Sequence, residues 1–367
     1  MNYMRLALDL AKDALGTTSP NPAVGAVLVK SGHIIGKGYT QKPGQAHAEI
    51  CAINQAGNQT ENSTLYVTLE PCSHHGRTPP CTSAIIQAGI TKVHMALLDP
   101  NPLINGLGKK ELENAGIAVA VGDREEEATQ INEAYLKFTR TGLPFITAKY
   151  AASLDGKIGT RTGDSHWITG NAARRKANQL RDKYDAIMVG IGTVLKDDPR
   201  LTARNDQNLP LPQQPLRVIV DSNGRTPTTA NLFEEPGEIL IATGPIEQSR
   251  VKALEKSGAT VVEFPTLSGV VDLRELMRFL GHRQTTSILI EGGGGLLGSV
   301  IEYRLADKLV VFLAPMIIGG VNAIPSIGGL GSEKISDSLR LERITFQHEE
   351  GDHLIITGYP KKKDTQD

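Results

Sequence analysis

Four side chains in the first part of the sequence have the types and spacing of a metal site: His47, Glu49, Cys72 and Cys81. Imidazole nitrogen and thiolate sulfur are common zinc ligands. In zinc deaminases, a His-x-Glu sequence is followed by Pro-Cys and a second cysteine, and the glutamate is not a ligand. The pattern therefore predicts that His47, Cys72 and Cys81 bind zinc and that Glu49 is the catalytic proton shuttle.

The chemistry expected of such a site is hydrolytic deamination. Three protein ligands leave the fourth position of a tetrahedral zinc for water, whose pKa the metal lowers to about 7. The resulting zinc hydroxide can attack an aminopyrimidine ring, while a carboxylate carries the proton to the leaving amine. Because helix residues two apart do not share a face, we expect His47 in the first turn of a helix, with zinc at the helix end.

Two other interpretations of these residues are open. His74 or His75 could complete a structural zinc site with four ligands, or the cysteines could be buried thiols beside a core histidine. Cys51, the third cysteine, is interpreted as a small apolar residue. A helix N-terminus beside the two thiols would favour their ionised form, as a metal site requires.

Length, charge and cysteine count limit the class of protein. The 367 residues are enough for two domains. A formal net charge of −1 argues against a nucleic-acid partner or an anionic membrane surface. Three cysteines cannot form a disulfide framework, which indicates a reducing compartment. Without a signal-peptide pattern or a long apolar run, we expect a cytoplasmic protein that does not enter a membrane.

Short apolar segments alternate with helix-like segments along the whole chain. In the first part, strands are predicted at 23–29, 64–69, 92–98 and 117–121. Helices are predicted at 1–15, 46–57, 81–89 and 123–140. The turn-rich stretch after the last helix predicts a boundary between a domain of residues 1–143 and one of residues 144–361. In the second domain, strands are predicted at 145–151, 185–190, 216–221, 238–243, 286–291 and 307–315. The alternation predicts two α/β domains.

A glycine-rich segment follows the strand at 286–291. Gly293, Gly295 and Gly298 match G-x-G-x-x-G, which lets the backbone approach a diphosphate at a helix N-terminus. The dinucleotide fingerprint also requires an acidic residue about 20 positions later, and residues 313–318 contain none. We therefore expect a phosphate cradle rather than a Rossmann domain.

Motifs along nearly the whole chain resemble the bifunctional deaminase–reductase family of riboflavin biosynthesis. The segment between Cys72 and Cys81, SHHGRTPP, is similar to the corresponding family segment. Further similar segments occur in order at 19–25, 99–102, 151–157, 165–169, 193–199 and 290–295. The resemblance implies a cytidine-deaminase-like N-terminal domain with a mixed sheet and a dihydrofolate-reductase-like C-terminal α/β domain.

The resemblance also implies two reactions on a phosphoribosyl pyrimidine. The first is zinc-dependent deamination of diaminohydroxyphosphoribosylaminopyrimidine to aminophosphoribosylaminouracil. The second is NADPH-dependent reduction of the ribosyl side chain to ribityl. The family usually self-associates, so we expect a homo-oligomer, a dimer or a tetramer.

Residue roles in the first domain follow from the same resemblance. Asn21, His74 and Arg77 are expected to contact the substrate, and the guanidinium of Arg77 suits a phosphate. This chain departs from the family at Thr40, where a histidine is common. A threonine forms hydrogen bonds but cannot carry a charge, so substrate binding, not the type of reaction, is in question.

In the second domain, the implied cofactor contacts occupy five places along the chain: Ala151, Trp167, Thr193, Asp197, Ser222, Gly293, Gly294, Gly295, Leu296, Leu297, Gly298 and Ser299. The implied substrate contacts are Ser165, Arg181, Leu201, Arg204 and Glu291. For proton transfer in the reduction, Lys149, Asp197 and Glu291 are equal alternatives, and Ser222 and Arg225 are candidates for NADPH selectivity.

Two other functions are open. One is an RNA adenosine deaminase, which calls for a basic face and stacking aromatics, whereas aromatic residues make up only 4% of the chain. The other is a non-catalytic protein with structural zinc and a regulatory nucleotide pocket.

Overall fold

The computed structural model describes residues 2–74, 79–102, 104–165, 168, 170–349 and 353–361, without the side chains of 171–174. The predicted contacts Arg77 and Trp167, and the alternative ligand His75, lie outside the described residues. The chain divides into two compact units, Met1–Leu143 and Pro144–Asp367. They are called the N-terminal and C-terminal units below.

The N-terminal unit contains six α-helices and five strands among its described residues. The helices are α1 (Tyr3–Ala14), α2 (Ala48–Ala56), α3 (Cys81–Gln87), α4 (Leu107–Asn114), α5 (Glu125–Ile131) and α6 (Glu133–Thr141). The strands are β1 (Gly25–Lys30), β2 (His33–Tyr39), β3 (Thr64–Val67), β4 (Lys92–Met95) and β5 (Ala118–Val121).

The strand order is β2-β1-β3-β4-β5. Strand β1 is antiparallel to both of its neighbours, and β3, β4 and β5 are mutually parallel. Strands β2 to β5 therefore all end at the edge of the sheet where β1 begins. Loops that leave this edge can bring side chains from several strands together.

Helices cover both faces of this sheet at very short range. On β2, a Cβ at Gly36 would lie 2.1 Å from the carbonyl oxygen of Ala52. A Cβ at Gly38 would lie 2.4 Å from that of Ala48. On the other face, a Cβ at Gly25 would lie 1.9 Å from the carbonyl oxygen of Ala7. Only glycine on the strands allows such an approach, so these positions determine where the helices lie.

The C-terminal unit is built around a larger sheet. Its helices are α7 (Asn171–Arg181), α8 (Ile191–Asp197), α9 (Gln248–Lys256), α10 (Leu273–His282) and α11 (Gly294–Glu302). Its strands are β6 (Phe145–Ser153), β7 (Lys157–Gly159), β8 (Ala186–Gly190), β9 (Leu216–Val220), β10 (Ile239–Thr243), β11 (Thr260–Glu263), β12 (Thr266–Leu267), β13 (Val270–Val271), β14 (Ser287–Glu291), β15 (Lys308–Ala314), β16 (Ile324–Pro325), β17 (Leu341–Glu349) and β18 (His353–Pro360).

Nine of these strands form one sheet in the order β11-β10-β9-β8-β14-β6-β15-β18-β17. The first seven are parallel, and β18 and β17 continue the sheet as antiparallel strands. The parallel strands are mostly apolar and buried, as expected when helices cover both faces.

Edge strand β17 differs from the rest of the sheet because most of its side chains are exposed, including Ile344 and Phe346. Its pairing with β18 is irregular between Glu342 and Thr345. There Arg343 has a φ of 49°, and its guanidinium lies 3.8 Å from the ring centroid of Tyr359.

Most predicted elements are present, with two differences in the N-terminal unit. Strand β2 was not predicted, and its two glycines, which weaken a strand pattern, are the positions that α2 requires. The helix predicted over 123–140 is divided at Asn132, which ends α5 and precedes α6. In the described part of the chain, no helix has the length and apolarity needed to span a membrane.

Replacing Gly38 by alanine should destabilise the N-terminal unit by about 1–3 kcal/mol, because its Cβ would overlap backbone of α2. Thermal unfolding of the full chain followed by circular dichroism measures this. The exposed Lys37, next to it on β2, provides the matched control, and Lys37→Ala should unfold close to the wild-type temperature. Equal stability of the two variants would contradict the packing described above.

Candidate functional site

The predicted zinc ligands lie on loops that leave one edge of the N-terminal sheet. His47 follows β2 and is the N-cap residue of α2, as expected for a ligand at a helix end. Cys72 lies on the loop after β3, and Cys81 is the first residue of α3. Three separate loops and helix starts thus supply the three side chains.

These three side chains meet. The Nδ1 atom of His47 lies 3.7 Å from Sγ of Cys72 and 3.3 Å from Sγ of Cys81, and their potential ligand atoms all lie within 4.8 Å of one another. The backbone N–H of Cys81 also donates to Sγ of Cys72, at 3.4 Å. Glu49 is buried in the first turn of α2 and interacts with the thiol of Cys81.

The electrostatics of the group are those of two thiols that share a hydrogen bond. A hydrogen bond from Cys81 lowers the pKa of Cys72 to about 4, although burial opposes the shift. The same contact raises the pKa of Cys81, and burial adds to the effect. Burial, followed by the charge of Cys72, raises the pKa of Glu49. A hydrogen bond to Cys72 raises the pKa of His47 against the effect of burial.

Glu70 supports the loop that carries Cys72, and sequence reasoning missed it. Its buried carboxylate accepts hydrogen bonds from the backbone N–H groups of Asp99 (3.2 Å), Gly106 (3.0 Å) and Lys109 (3.0 Å). It thereby ties the end of the β3 segment to the loop after β4. A glutamate at the end of an apolar strand was the available signal, since a buried charge needs partners.

The predicted substrate contacts of this unit are only partly placed. Asn21 is half-buried in a turn in which its N–H donates to the carbonyl oxygen of Thr18 at 2.8 Å, and His74 is exposed. Thr40 is buried, and its hydroxyl contacts the backbone N–H (3.3 Å) and carbonyl oxygen (3.4 Å) of Val24. The side chain of Thr40 therefore contributes to the internal structure of the sheet edge.

The C-terminal unit has a cavity of about 340 Å³ at the carboxyl ends of parallel strands β6, β8 and β14. Nine predicted cofactor or substrate residues line it: Ala151, Ser165, Arg181, Thr193, Asp197, Leu201, Glu291, Gly293 and Gly294. Lys149, Tyr150, Ile158 and Lys196 also line the cavity. Of these four, sequence reasoning singled out only Lys149.

One wall of the cavity is an ion pair between Arg181 and Glu291. The guanidinium donates to one carboxylate oxygen through Nε (3.1 Å) and Nη2 (2.6 Å), and Nη1 donates to the carbonyl oxygen of Thr202 at 3.1 Å. Only 17% of the Arg181 side chain and 9% of the Glu291 side chain are exposed. The other Glu291 oxygen, Oε1, is buried without a hydrogen-bond partner among the described residues.

Lys149 lies beside Glu291, because the two are register partners on β6 and β14. Burial lowers the pKa of Lys149, Glu291 opposes this shift and Arg181 adds to it. For Glu291, burial acts to raise the pKa, but the charges of Arg181 and Lys149 outweigh it and the net pKa is lowered. Glu291 is therefore held as a carboxylate, whereas Lys149 is the cation that loses its proton more readily than usual.

The starts of two helices also contribute to the lining of the cavity. The N–H of Gly293, the N-cap residue of α11, donates to Oγ1 of Thr193 on α8 at 3.1 Å. Ser165 and Asp197 approach each other at 3.4 Å. Leu201 adopts a φ of 57°, a left-handed conformation that costs energy in a residue with a Cβ and recurs at functional sites.

The remaining predicted contacts do not line this cavity: Arg204, Ser222, Gly295, Leu296, Leu297, Gly298 and Ser299. Leu297 belongs to the core, and a Cβ at Gly298 would lie 2.5 Å from the carbonyl oxygen of Gly328. Arg204 binds Glu235 at 2.7 Å and lines a separate polar cavity of about 390 Å³. The Ser222 hydroxyl accepts a hydrogen bond from Val271 N–H at 3.0 Å.

Two family models match the chain, one in each unit. The cytidine and deoxycytidylate deaminase zinc-binding region matches residues 1–97, and the RibD C-terminal domain matches residues 144–352. These matches agree with the two units of the structure, and the predicted fold class is confirmed.

Similar proteins extend over nearly the whole length. The chain is 43% identical to riboflavin biosynthesis protein RibD of Aquifex aeolicus, covering 97% of both sequences, and 41% identical to that of Escherichia coli, covering 94% and 95%. Among solved structures it is similar to RibD of Acinetobacter baumannii, with 37% identity, a TM-score of 0.87 and 98% coverage of both chains. It is also similar to the diaminohydroxyphosphoribosylaminopyrimidine deaminase/5-amino-6-(5-phosphoribosylamino)uracil reductase of Thermotoga maritima, with 34% identity, a TM-score of 0.83 and 98% coverage of both.

Substituting Arg181 by methionine should destabilise the C-terminal unit by about 3 kcal/mol at pH 7, because Glu291 would keep a buried charge without its main partner. Urea unfolding followed by the fluorescence of Trp167, the only tryptophan, reports on this unit. Arg200→Met is the matched control: Arg200 pairs with Glu235 but is half exposed, so this variant should unfold at close to the wild-type urea concentration.

Acidification should change the contribution of Glu291 to folding stability in opposite directions in the wild type and in Arg181→Met. In the wild type, the folded pKa of Glu291 lies below its unfolded value of about 4.3, so its contribution is complete above that value and is lost as pH falls further. In Arg181→Met, burial should raise the pKa of Glu291, so acidification from pH 7 to 5 should reduce the penalty. A penalty independent of pH would contradict the assigned charge of Glu291.

Proposed function

Because the chain belongs to the RibD family of bifunctional riboflavin-biosynthesis enzymes, with a deaminase and a reductase domain, we propose a specific chemistry for each unit. The N-terminal unit performs zinc-dependent hydrolytic deamination of diaminohydroxyphosphoribosylaminopyrimidine. The C-terminal unit reduces the ribosyl group of the product with NADPH. The observation that carries the proposal is the meeting of His47, Cys72 and Cys81 beside the buried Glu49.

Zinc suits this group because of its donors. One imidazole and two thiols within 4.8 Å are a soft ligand set that leaves one tetrahedral position open. A bound zinc ion would supply Lewis acidity, which lowers the pKa of a bound water molecule to about 7. With zinc bound, both Cys72 and Cys81 would be deprotonated, because a coordinating thiol loses its proton, and the two thiols would no longer share one hydrogen bond.

Within this site, Glu49 is the group that moves the proton. Burial raises its pKa, so it can accept a proton from water and deliver it to the leaving amine near neutral pH. Its position in the first turn of α2, next to N-cap His47, keeps the carboxyl beside the ligand group without requiring it to coordinate. Asn21, His74 and Arg77 are proposed to hold the pyrimidine and its phosphoribosyl group.

In the C-terminal unit, the glycine-rich start of α11 suits the phosphates of a nucleotide. The backbone can be approached closely at Gly292 and Gly293, where an added Cβ would meet no atom nearer than 3.5 Å. The hydrogen bond from the backbone N–H of Gly293 to Oγ1 of Thr193 orders this segment. Ala151, Trp167, Asp197, Ser222 and the remaining residues of 293–299 stay predicted cofactor contacts.

NADPH supplies the hydride for this reduction. The charged residues that line the cavity, Arg181, Glu291 and Lys149, are proposed to bind and protonate the substrate. Arg181, Ser165, Leu201 and Glu291 line the cavity and would orient the ribosyl phosphate end, with Arg204 as a further predicted contact. Of the three alternatives for the proton donor, we propose Lys149. Its pKa is lowered by burial, whereas Glu291 is held as a carboxylate and cannot donate.

We further propose that the protein acts in the cytoplasm as a homo-oligomer, a dimer or a tetramer. An RNA adenosine deaminase is the main rival, and ammonia release from the free pyrimidine nucleotide compared with release from tRNA distinguishes the two functions. Release from tRNA alone would overturn the proposed deamination.

Glu49→Gln should abolish ammonia release, by at least about a thousand-fold, while zinc stays at about one ion per chain, because the amide cannot carry the proton and is not a ligand. Metal analysis and an ammonia assay on the full chain measure both quantities. Cys72→Ser should lose zinc as well as activity. Cys51→Ala, which changes the cysteine outside the ligand group, should keep both. Ammonia release by Glu49→Gln at the wild-type rate would remove Glu49 from the mechanism.

Thr193→Val should raise the KM for NADPH about ten-fold, because the N–H of Gly293 would lose its partner and the start of α11 would be less ordered. NADPH oxidation with the deaminated pyrimidine measures this, and quenching of Trp167 emission gives the affinity independently. Thr260→Val, at an exposed threonine that begins the edge strand β11, is the control. Absence of binding by either nicotinamide cofactor would overturn the reductase assignment.

A further inference from the structure

Three consecutive residues that lead into β1, 23–25, are held by side chains from distant parts of the N-terminal unit. The backbone N–H groups of Ala23, Val24 and Gly25 each donate to a side-chain oxygen. The acceptors are Asn132 Oδ1 for Ala23 (2.9 Å), Thr40 Oγ1 for Val24 (3.3 Å) and Thr68 Oγ1 for Gly25 (3.1 Å). The sequence singled out none of these three anchoring contacts.

Asn132 makes the most complete of these contacts. It is 2% exposed, and its Nδ2 donates to the carbonyl oxygen of Ala23 at 3.0 Å while its Oδ1 accepts from the N–H of the same residue. The Asn132 amide forms hydrogen bonds with both the N–H and the C=O of Ala23, as the backbone of a neighbouring strand would do. Asn132 is separated from Ala23 by 109 positions in the sequence and lies between α5 and α6.

The anchored segment lies at the edge of the sheet that carries the ligand group. Gly25 pairs with Tyr39 at the end of β2, and Ala26 pairs with Val67 at the end of β3. The loops to His47 and Cys72 leave from those two strand ends. Asn21, a predicted substrate contact, precedes Ala23 by two residues, so its position relative to the ligands depends on how Ala23 is held.

We propose that Asn132 is a positioning residue of the deaminase, which holds Ala23 and thereby places Asn21 against the substrate. The inference rests on the proposed deamination. The Asn132 side chain forms its hydrogen bonds with the backbone of Ala23, so it would act on the substrate through the backbone of residues 21–23. A displacement of about 1 Å in a substrate-binding group can reduce a rate by two orders of magnitude, so the loss should be measurable.

The experiment compares Asn132→Ala with Leu136→Ala in the full chain. Leu136 is a buried residue of α6, so its truncation weakens the same helix without removing a bond to Ala23. Asn132→Ala should lower kcat/KM for deamination about ten-fold, mainly through KM, with zinc content unchanged. Its NADPH-dependent reductase activity should stay within about two-fold of wild type, since that site belongs to the other unit. Leu136→Ala should lower the unfolding temperature and leave KM unchanged.

An unchanged KM in Asn132→Ala, or an equal KM increase in Leu136→Ala, would overturn the positioning role. Loss of zinc from Asn132→Ala would also overturn it, because the residue would then support the ligand group itself. If Asn132→Ala does not fold, Asn132→Ser, which is too short to span both backbone groups of Ala23, is judged by the same criteria. Absence of ammonia release by the wild-type chain would instead refute the proposed deamination, and this inference with it.

Discussion

The geometry of the proposed deaminase site depends on the close contact between α2 and β2. Gly36 and Gly38 present bare backbone to Ala48 and Ala52, so the helix axis lies nearer to the strand than any larger residue would permit. His47 and Glu49 occupy the first positions of that helix, and their places follow from its contact with the strand. The ligand group is thus located by rigid backbone packing, which is the kind of support that a preorganised site needs.

The cavity of the C-terminal unit depends on a different interaction, between buried charges that lie at the carboxyl ends of parallel strands. Register places Lys149 beside Glu291, and α7 contributes Arg181. Two cations around one carboxylate, with one carboxylate oxygen still without a partner, are costly to bury. A cluster of buried charges that shifts the pKa of both Lys149 and Glu291 is characteristic of functional sites.

Where chemistry restricts residue type, sequence reasoning selected residues that lie together in the structure, and it missed residues whose partners are backbone groups. The ligand pattern around Cys72 and the apolar strands were predictable, because metal preference and periodicity leave direct marks in the sequence. Glu70, Thr40 and Asn132 were missed as anchors, because each binds main-chain groups that any residue could supply. The two glycines of β2 weaken its strand pattern, so β2 was not predicted. They are needed because α2 packs against their backbone, and the local sequence of β2 does not show that contact.

The exposed strand β17 has a consequence for the behaviour of the protein at high concentration. A nine-residue sheet edge carrying Ile344 and Phe346 is a template on which another chain could add a strand. The irregular pairing at Arg343 divides this edge into two short runs, and the stacking of Arg343 on Tyr359 keeps a cation beside the interruption. A regular ladder could therefore extend along only part of β17, which limits its tendency to nucleate aggregation.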